Sequence, residues 1–318
     1  MSERVRIDVG DGSPEGANSA YLLPERGVLI DPGLPTERAW SNLLAGIAGA
    51  DAAVADVEHV LVTHWHVDHA GLAPRIAERA DADLHVHRAD APLIGDYASA
   101  RERRLERDER TLARWGVPEA RRGAVLDGDT PSPFPDSFPV RARDDGDAIA
   151  GVEVVHTPGH TKGHASFRTA EEIYLGDLLL PTYTPNVGGS DTRLTDPLAA
   201  YLSSLDRLED APERGRPGHG TTIEIEAACE EVLEHHRERA RACFRALETA
   251  ESAPSTPWAV ARELFGEMHG VHAKFGAGEA AAHLERLAAL DLVRPLEGAP
   301  VEYVRAVESY PDEIDLSA

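Results

Sequence analysis

The sequence predicts an α/β domain followed by a smaller, mainly helical domain. Short apolar runs typical of strands alternate with amphipathic helical runs over residues 1–225 of the 318-residue chain. Long helical patterns dominate residues 226–318, so the domain boundary is expected between residues 225 and 226. A polar insert at residues 97–122 interrupts the first domain and is predicted to be helical.

The elements of the first domain follow from the spacing of apolar residues and of turn residues. Strands are predicted near residues 5–9, 19–23, 28–31, 57–63, 84–87, 151–155, 165–169 and 173–176. Helices are predicted over residues 36–49, 75–80 and 197–209, the first with Thr36 as its N-cap. Residues 131–150 are rich in Pro, Asp and Gly and are expected to form a loop or a hairpin.

The C-terminal domain is predicted to contain three helices and a hairpin. The helices are expected over residues 227–250, from Pro257 onward, and over residues 277–290. Strand-like runs follow at residues 292–294 and 301–304. This is the order of elements in a winged helix, which we expect here. The tail is acidic and lacks a basic recognition helix, which argues against a DNA-binding regulator.

Residues 64–69 carry the most informative pattern, His-Trp-His-Val-Asp-His. Imidazoles and carboxylates are the ligands that hold first-row divalent metals. His64 and His66 are two residues apart, so both rings are expected to leave the same face at the end of an extended strand. Asp68 and His69 follow where the chain must turn and can point at a second, neighbouring position. The spacing therefore predicts two adjacent metal ions.

Further candidate ligands lie in similar settings later in the chain. His160 lies in a Pro-Gly-His turn after a strand-like run, Asp177 ends another apolar run, and His219 follows a Pro-Gly pair. A glycine beside each of them lets the backbone approach closely. Asp177 has two carboxylate oxygens and is able to bridge two ions.

Together these residues resemble the pattern of the metallo-β-lactamase superfamily: H-x-H-x-D-H, a His in a P-G-H turn, an Asp after a strand, and a late His. The resemblance covers about residues 5–225. It implies a four-layer αββα sandwich and two metal positions bridged by Asp177. The ligands of the first metal would be His64, His66 and His160, and those of the second would be Asp68, His69 and His219.

The Asp at position 177 points to particular branches of that superfamily. Its true β-lactamases carry a Cys there, so the resemblance favours thioesterases similar to hydroxyacylglutathione hydrolase, lactonases and nucleases. We expect a dinuclear hydrolase in which a metal-bound hydroxide attacks an ester or thioester carbonyl of a small acyl substrate, with Asp68 as the catalytic proton acceptor. Zinc is the expected metal, with iron or manganese as alternatives. The alternative functions are a metal-dependent endoribonuclease acting on single-stranded RNA and a mononuclear iron persulfide dioxygenase.

Other polar residues are candidates for supporting roles. Asp31 ends a predicted strand at the same edge as the ligands and is expected either to hydrogen-bond a metal-bound His or to form a turn. His164 lies four residues after a predicted ligand and is a candidate to orient a ligand or to line the pocket. Tyr183 and Asn186 lie in the loop after the third strand-like run of the second half and are candidates for contacting the substrate.

The remaining histidines are not expected to bind the metal ions directly. His85 and His87 alternate on a predicted strand and are expected either to be structural or to support the ligands from behind. Four histidines in the helical tail are expected to face solvent, namely His235, His236, His269 and His272.

The net charge of −24 is extreme, and lysine is nearly absent, with only Lys162 and Lys274 among 32 Lys and Arg residues. An acidic excess with depleted lysine is typical of proteins that work in molar salt, where the Debye length shrinks to about 3 Å and self-repulsion is screened. We therefore expect a salt-adapted protein.

No run of about 18 apolar residues is present, and Met1 is not followed by an apolar signal region. These features predict a cytoplasmic protein with no membrane partner. Cys229 and Cys243 lie in one predicted helix, separated by a rise of about 21 Å, so both are expected to be reduced.

The insert at residues 97–122 holds eight arginines against five acidic residues. This cluster of basic residues is a candidate for binding an anionic substrate. The alternative is a solvated helix with pairs such as Glu106 and Arg110 at i,i+4, docked through an apolar stripe.

Overall fold

The computed structural model describes residues 4–10, 16–209, 211–212, 214–247, 254–312 and 314–317. The chain divides into two compact units. Unit 1 comprises Met1–Arg101, Pro131–Pro185 and Ser204–Cys229. Unit 2 comprises Glu102–Thr130, Asn186–Ser203 and Glu230–Ala318, and so includes most of the predicted insert and the helical tail. The domain boundary between residues 225 and 226 stays a prediction.

A six-stranded sheet forms the first part of unit 1. Its strands are β1 (Val5–Asp8), β2 (Ser19–Leu23), β3 (Val28–Ile30), β4 (His59–Val62), β5 (Asp83–His87) and β6 (Arg141–Arg143). They pair in chain order, antiparallel from β1 to β3 and parallel from β3 to β6. The prediction of only a loop or hairpin at residues 131–150 is therefore wrong for β6. Its Arg-Ala-Arg sequence has no apolar face, and it becomes a strand because β5 offers it an open edge.

A second six-stranded sheet follows in unit 1. Its strands are β7 (Ala148–Ile149), β8 (Val152–His156), β9 (Ala165–Arg168), β10 (Ile173–Gly176), β11 (Arg214–Pro217) and β12 (Ile223–Glu224). Neighbouring strands are antiparallel except β10 and β11, which are parallel. The strands predicted near residues 151–155, 165–169 and 173–176 correspond to β8, β9 and β10.

The helices lie close to the predicted positions. They are α1 (Glu37–Gly49), α2 (Val67–Ala70), α3 (Ala73–Ala80), α4 (Pro92–Gly95), α5 (Tyr97–Arg114), α6 (Glu119–Gly128), α7 (Pro197–Asp206), α8 (Ile225–Ala246), α9 (Pro257–Phe265) and α10 (Val271–Ala289). Thr36 caps α1 as predicted, because its side chain accepts a hydrogen bond from the amide of Ala39. Among the described residues no helix is both long and apolar enough to cross a membrane.

The alternation of side chains along β2 shows how the layers of unit 1 form. Tyr21 and Leu23 point into a core between the two sheets, where the ring of Tyr21 lies 5.1 Å from that of Tyr174. Leu22, between them, points to the other face of the sheet and packs in the core that includes Leu43 of α1. Two sheets packed together and flanked by helices confirm the predicted α/β sandwich.

The helical tail has the predicted order of elements. After α8, α9 and α10 come β13 (Val293–Leu296) and β14 (Glu302–Arg305), which pair as an antiparallel hairpin. Residues 248–250, the end of the predicted helix 227–250, lie outside the described residues. The relation to a winged helix stays a prediction.

Asp108, on α5, is a buried carboxylate inside unit 2, with 1% of its surface exposed. Its Oδ2 accepts hydrogen bonds from Lys274 Nζ at 2.8 Å and Arg104 Nη1 at 3.2 Å. Its Oδ1 accepts from the hydroxyl of Thr192 at 2.7 Å. Arg104 also donates to both oxygens of Asp129. At least this arginine of the basic insert therefore serves ion pairs within the unit, and substrate binding by the insert stays a prediction.

One tail histidine departs from the prediction that all four face solvent. His236 is buried, and its Nδ1 lies 3.1 Å from Nε2 of His283. Because His283 Nδ1 donates to the carbonyl of Glu279, its Nε2 is the acceptor in this pair. His236 shares a helix face with the buried residues Val232 and Ala240, four residues away on either side, which is why it points inward.

Candidate metal centre

The H-x-H-x-D-H segment begins just after β4, in unit 1. The strand ends at Val62, so His64 and His66 stand in a turn and not on an extended strand as predicted. The short helix α2 then carries Asp68 and His69. The turn, and not strand alternation, brings the two imidazoles together at the carboxyl end of a parallel strand.

Three imidazoles form the first cluster, which we call the three-imidazole group: His64, His66 and His160. His66 Nδ1 lies 2.9 Å from His64 Nε2 and 3.0 Å from His160 Nε2. Nitrogens that share one tetrahedral zinc ion lie about 3.3 Å apart, so this spacing suits a single ion. Burial lowers the pKa of His66 to about 3 and the pKa of His64 well below its usual value. Both rings are therefore neutral near pH 7 and keep a lone pair.

A second cluster, which we call the mixed group, combines a carboxylate with two imidazoles: Asp68, His69 and His219. Asp68 Oδ2 lies 3.3 Å from His219 Nε2 and 3.5 Å from His69 Nε2. Burial acts to lower the pKa of His69, but the carboxylates of Asp177 and Asp68 outweigh it and raise that pKa well above its usual value. The mixed group therefore favours positive charge.

Asp177 contacts both groups. Its Oδ2 lies 3.6 Å from His160 Nε2 and 4.0 Å from His64 Nε2, in the three-imidazole group. Its Oδ1 lies 3.3 Å from His69 Nε2 and 3.6 Å from His219 Nε2, in the mixed group. One oxygen thus faces each group, which is the arrangement that a bridging carboxylate requires.

Hydrogen bonds around the cluster set where the ring protons lie. His69 Nδ1 lies 3.0 Å from Asp31 Oδ2, which can only accept, so this nitrogen carries the proton. The Thr63 hydroxyl donates to the same carboxylate and therefore accepts from His64 Nδ1. His219 Nδ1 lies 3.3 Å from a backbone carbonyl oxygen. In the neutral form of each of these three rings, Nε2, which faces the cluster, is therefore the nitrogen that keeps the lone pair.

The inner atoms of the cluster show whether metal ions fit there. Among the described residues, His69 Nε2 and Asp177 Oδ1 are buried without a hydrogen-bond partner, although they lie 3.3 Å apart. Leaving such atoms unsatisfied costs about 1–3 kcal/mol each, and the carboxylates around His69 raise its pKa because they favour positive charge there. A metal cation in each group supplies that charge and a partner for these atoms, and the donors are those of zinc, iron and manganese sites. The residues present therefore fit two divalent ions.

Two predicted supporting residues lie directly behind the cluster. Asp31 makes the predicted hydrogen bond to a candidate ligand, His69. His164 Nε2 accepts from the backbone amide of Asp177 at 3.0 Å, and its Nδ1 lies 2.8 Å from the hydroxyl of Thr157. His164 is fully buried, so its position matches the predicted orienting role and not the predicted place in an open pocket.

The described contacts of the two residues predicted to contact the substrate do not place them at the cluster. The side chain of Tyr183 is 50% exposed. The side-chain amide of Asn186, which belongs to unit 2, donates to the carbonyl of Phe275 in the same unit. A role for either residue in substrate binding stays a prediction.

Two buried residues beside the cluster are missed by the sequence reasoning. The Asn18 amide donates to Asp68 Oδ2 and to the Asp68 carbonyl, each at 3.1 Å. Asp90 accepts hydrogen bonds from the loops that carry the three-imidazole group. No local pattern marks Asn18. Asp90 follows β5, which pairs in parallel with β4, so it lies at the sheet edge that also carries His64 and His66. Its place after a predicted strand is a sequence signal from which Asp90 could have been predicted.

The histidines of β5 are structural, as predicted. Arg143 Nε donates to His85 Nδ1, so the ring proton lies on Nε2, which is 3.2 Å from His59 Nδ1 and donates to it. Although these two histidines and a nearby aspartate are close enough to hold an ion, His85 Nε2 is not free to bind one. His87 stacks on His156 with 3.8 Å between ring centroids.

Comparisons with known proteins agree with this geometry. Residues 13–214 match the family model of the metallo-beta-lactamase superfamily. The probable metallo-hydrolase YqjP of Bacillus subtilis is 27% identical over 281 residues, which cover 83% of this chain and 85% of that protein. An atrochrysone carboxyl ACP thioesterase of Aspergillus fumigatus is 28% identical over 268 residues, covering 80% of this chain and 69% of that one.

A solved structure resembles nearly the whole chain. The crystal structure of a metallo-beta-lactamase family protein from Thermus thermophilus has a TM-score of 0.75 and 30% sequence identity. The match covers 96% of this chain and 99% of that one, so the similarity extends through the helical tail.

Proposed function

The chain belongs to the metallo-β-lactamase superfamily, and we propose that it is a dinuclear metal-dependent hydrolase of small esters or thioesters. The observation that carries the proposal is the position of Asp177, one oxygen of which faces each of two metal-binding groups. The superfamily consists generally of hydrolases. The similarity to a fungal ACP thioesterase supports a thioester as the substrate.

The metals we propose are two divalent ions, with zinc first and iron or manganese as alternatives. The three-imidazole group would hold one ion and the mixed group the other, with Asp177 shared between them. Bound there, the ions would lower the pKa of a water molecule and polarise the carbonyl oxygen of the substrate.

We assign proton transfer to Asp68. Its side chain is 32% exposed, whereas those of His69 and Asp177 are only 1% and 9% exposed. The Asn18 amide donates to Asp68 Oδ2 and fixes the orientation of the carboxylate. A carboxylate held between the buried cluster and solvent is placed to accept the proton of the attacking water and to deliver it to the leaving group.

Zinc-loaded protein in molar KCl, incubated with a panel of small acyl thioesters, tests the proposal through the release of free thiol. We expect turnover, and we expect Asp68→Asn to lower it by at least about 100-fold, the usual contribution of a positioned acid or base. The matched control is Asp51→Asn, a change of an exposed Asp in a turn, which should leave turnover unchanged.

Other outcomes separate the alternatives. Folded protein that contains two zinc ions and hydrolyses no ester or thioester would overturn the proposal. Cleavage of single-stranded RNA by the same sample would favour the endoribonuclease. Oxygen uptake with a persulfide by iron-loaded protein would favour the dioxygenase.

We also infer that the protein is adapted to high salt. Within the described part of the chain, the buried acidic residues are Asp31, Asp90, Asp108, Asp177 and Asp191. The other described acidic residues are at least partly exposed, so salt can screen their charge. The order of elements in the tail supports a winged-helix-like domain, which we retain as a proposal.

A further inference from the structure

Asp90 is a fully buried carboxylate, with 0% of its surface exposed, that follows β5 in a turn. Its Oδ2 accepts hydrogen bonds from the Thr161 hydroxyl at 2.7 Å and from the backbone amide of Trp65 at 3.3 Å. Its Oδ1 accepts from the backbone amide of Gly163 at 2.9 Å. One side chain therefore receives hydrogen bonds from two separate loops.

These two loops carry all of the three-imidazole group. Trp65 lies between His64 and His66, in the loop that follows a strand of the first sheet. Thr161 directly follows His160, in the loop that follows a strand of the second sheet. Asp90 thus joins the ends of two sheets at the place where their imidazoles meet.

The backbone at Gly163 shows how closely the second loop is drawn onto Asp90. A Cβ at this position would lie 2.6 Å from Asp90 Cγ and 2.5 Å from the Asp90 backbone nitrogen. Real Cβ atoms do not approach other atoms this closely, so only glycine permits this approach of the loop. The contact is built into the fold and does not depend on a flexible side chain at the surface.

The hydrogen bonds of Asp90 cannot be replaced by water. Thr161 is fully buried, and so is the carboxylate itself. Removing an acceptor leaves buried donors unsatisfied, at about 1–3 kcal/mol each. The two loops would relieve this cost by moving apart, which would lengthen the 3.0 Å distance between His160 Nε2 and His66 Nδ1.

We propose that Asp90 is a positioning residue that holds the two loops of the three-imidazole group at the separation one divalent ion requires. The proposal rests on the proposed function, since it takes this group to be a metal site. Asp90 accepts hydrogen bonds from the amide of Trp65, the hydroxyl of Thr161 and the amide of Gly163, which belong to the ligand-bearing loops but are not candidate ligands, so it acts on the ligands through these loops. In this respect it differs from Asp31, which hydrogen-bonds a candidate ligand directly.

The test compares zinc binding by the whole protein and three variants. Asp90→Asn keeps the size of the side chain but turns one acceptor into a donor. Thr161→Val removes only the hydroxyl bond to Asp90. Asp108→Asn is the matched control, because Asp108 is similarly buried and also accepts several hydrogen bonds, but lies in unit 2. Affinities are measured by competition with a chromophoric chelator, and Co²⁺ absorption spectra report the coordination of each site.

We expect Asp90→Asn to weaken one of the two zinc sites by about 10–100-fold, the usual cost of losing a supporting hydrogen bond, and to change the Co²⁺ spectrum of that site. Thr161→Val should weaken the same site less, while Asp108→Asn should leave both sites unchanged. If Asp90→Asn does not fold, the same comparison is made with Thr161→Val.

Two results would overturn the inference. The first is wild-type affinity at both sites in Asp90→Asn and Thr161→Val. The second is an equal loss at both sites that Asp108→Asn reproduces, because that pattern reports general destabilisation. A wild-type protein that binds no zinc would instead overturn the proposed function itself.

Discussion

Replacing Asp31 by Asn tests whether one buried carboxylate sets the proton positions of the metal centre. Asp31 Oδ2 accepts from His69 Nδ1 at 3.0 Å and from the Thr63 hydroxyl at 2.7 Å, and Oδ1 accepts from the Thr63 amide at 2.8 Å. The φ of Asp31 is +47°, in the left-handed region that Asn tolerates better than most residues. Asp31→Asn therefore changes the charge and the hydrogen bonding and little else.

The new amide cannot satisfy all three donors in either orientation. With its oxygen towards His69, its NH₂ group faces the N–H of Thr63, and the unsatisfied buried donor costs about 1–3 kcal/mol of folding stability. With its NH₂ group towards His69, the ring must give up the proton on Nδ1 and carry it on Nε2. That nitrogen faces Asp68 and Asp177, so the mixed group loses a lone pair that a metal ion needs.

The expected result is a loss of zinc affinity in the mixed group of about 10–100-fold, which corresponds to about 1.4–2.8 kcal/mol. Chelator competition measures it, and thermal unfolding of metal-free protein measures the cost to the fold. Asp108→Asn is again the control, and it should lower stability without changing zinc affinity. Wild-type zinc affinity in folded Asp31→Asn protein would refute the assignment of the ring protons.

Three further predictions follow from packing and charge. Gly218→Ala should abolish zinc binding in the mixed group, because a Cβ there would lie 2.4 Å from His69 Cε1. The control is Gly123→Ala, whose Cβ would meet nothing within 4 Å and which should leave zinc binding unchanged. An unchanged zinc content in Gly218→Ala would contradict the geometry. The melting temperature should rise with KCl up to molar concentrations, because salt screens the self-repulsion of a chain with a net charge of −24. A melting temperature independent of KCl would contradict salt adaptation. Burial lowers the pKa of His236 well below its usual value and that of His283 to about 4. Below about pH 6.5 the unfolded chain therefore binds protons that the folded chain does not. The free energy of unfolding should have its full value above about pH 6.5 and should fall as the pH drops towards 4, by up to about 1.4 kcal/mol per pH unit for each histidine. Urea unfolding at several pH values measures this fall, which should be shallower in His236→Phe; equal slopes would argue against the pair as its cause.

The candidate ligands that can be predicted from the sequence are those whose spacing is local. His64 to His69 lie in one short segment, and His160 and His219 each stand in a Pro-Gly turn. Asn18 differs, because it reaches Asp68 across 50 residues. Only the folding of the first sheet brings them together, so no window of sequence contains both partners.

The same limit applies to elements whose environment comes from elsewhere in the chain. β6 has no apolar alternation and is a strand only because β5 leaves an edge open beside it. His236 is polar by type, yet it occupies an inward position of α8 and finds its partner 47 residues away. Periodicity predicts which face of an element is buried, but it does not predict which polar residue on that face has a hydrogen-bond partner in the folded protein.

The four carboxylates around the centre divide according to their access to solvent. Asp31, Asp90 and Asp177 are 3%, 0% and 6% exposed. The first two each accept at least three hydrogen bonds that fix them in place. Asp68, with its side chain 32% exposed, accepts a hydrogen bond from the Asn18 amide on one side. Hydrolysis requires a proton to move between the attacking water, the leaving group and bulk solvent. Of these four carboxylates, Asp68 combines contact with the cluster and the greatest exposure to solvent. Under the proposed function, we therefore expect the fixed carboxylates to preserve the geometry of the centre and Asp68 to carry the proton transfer.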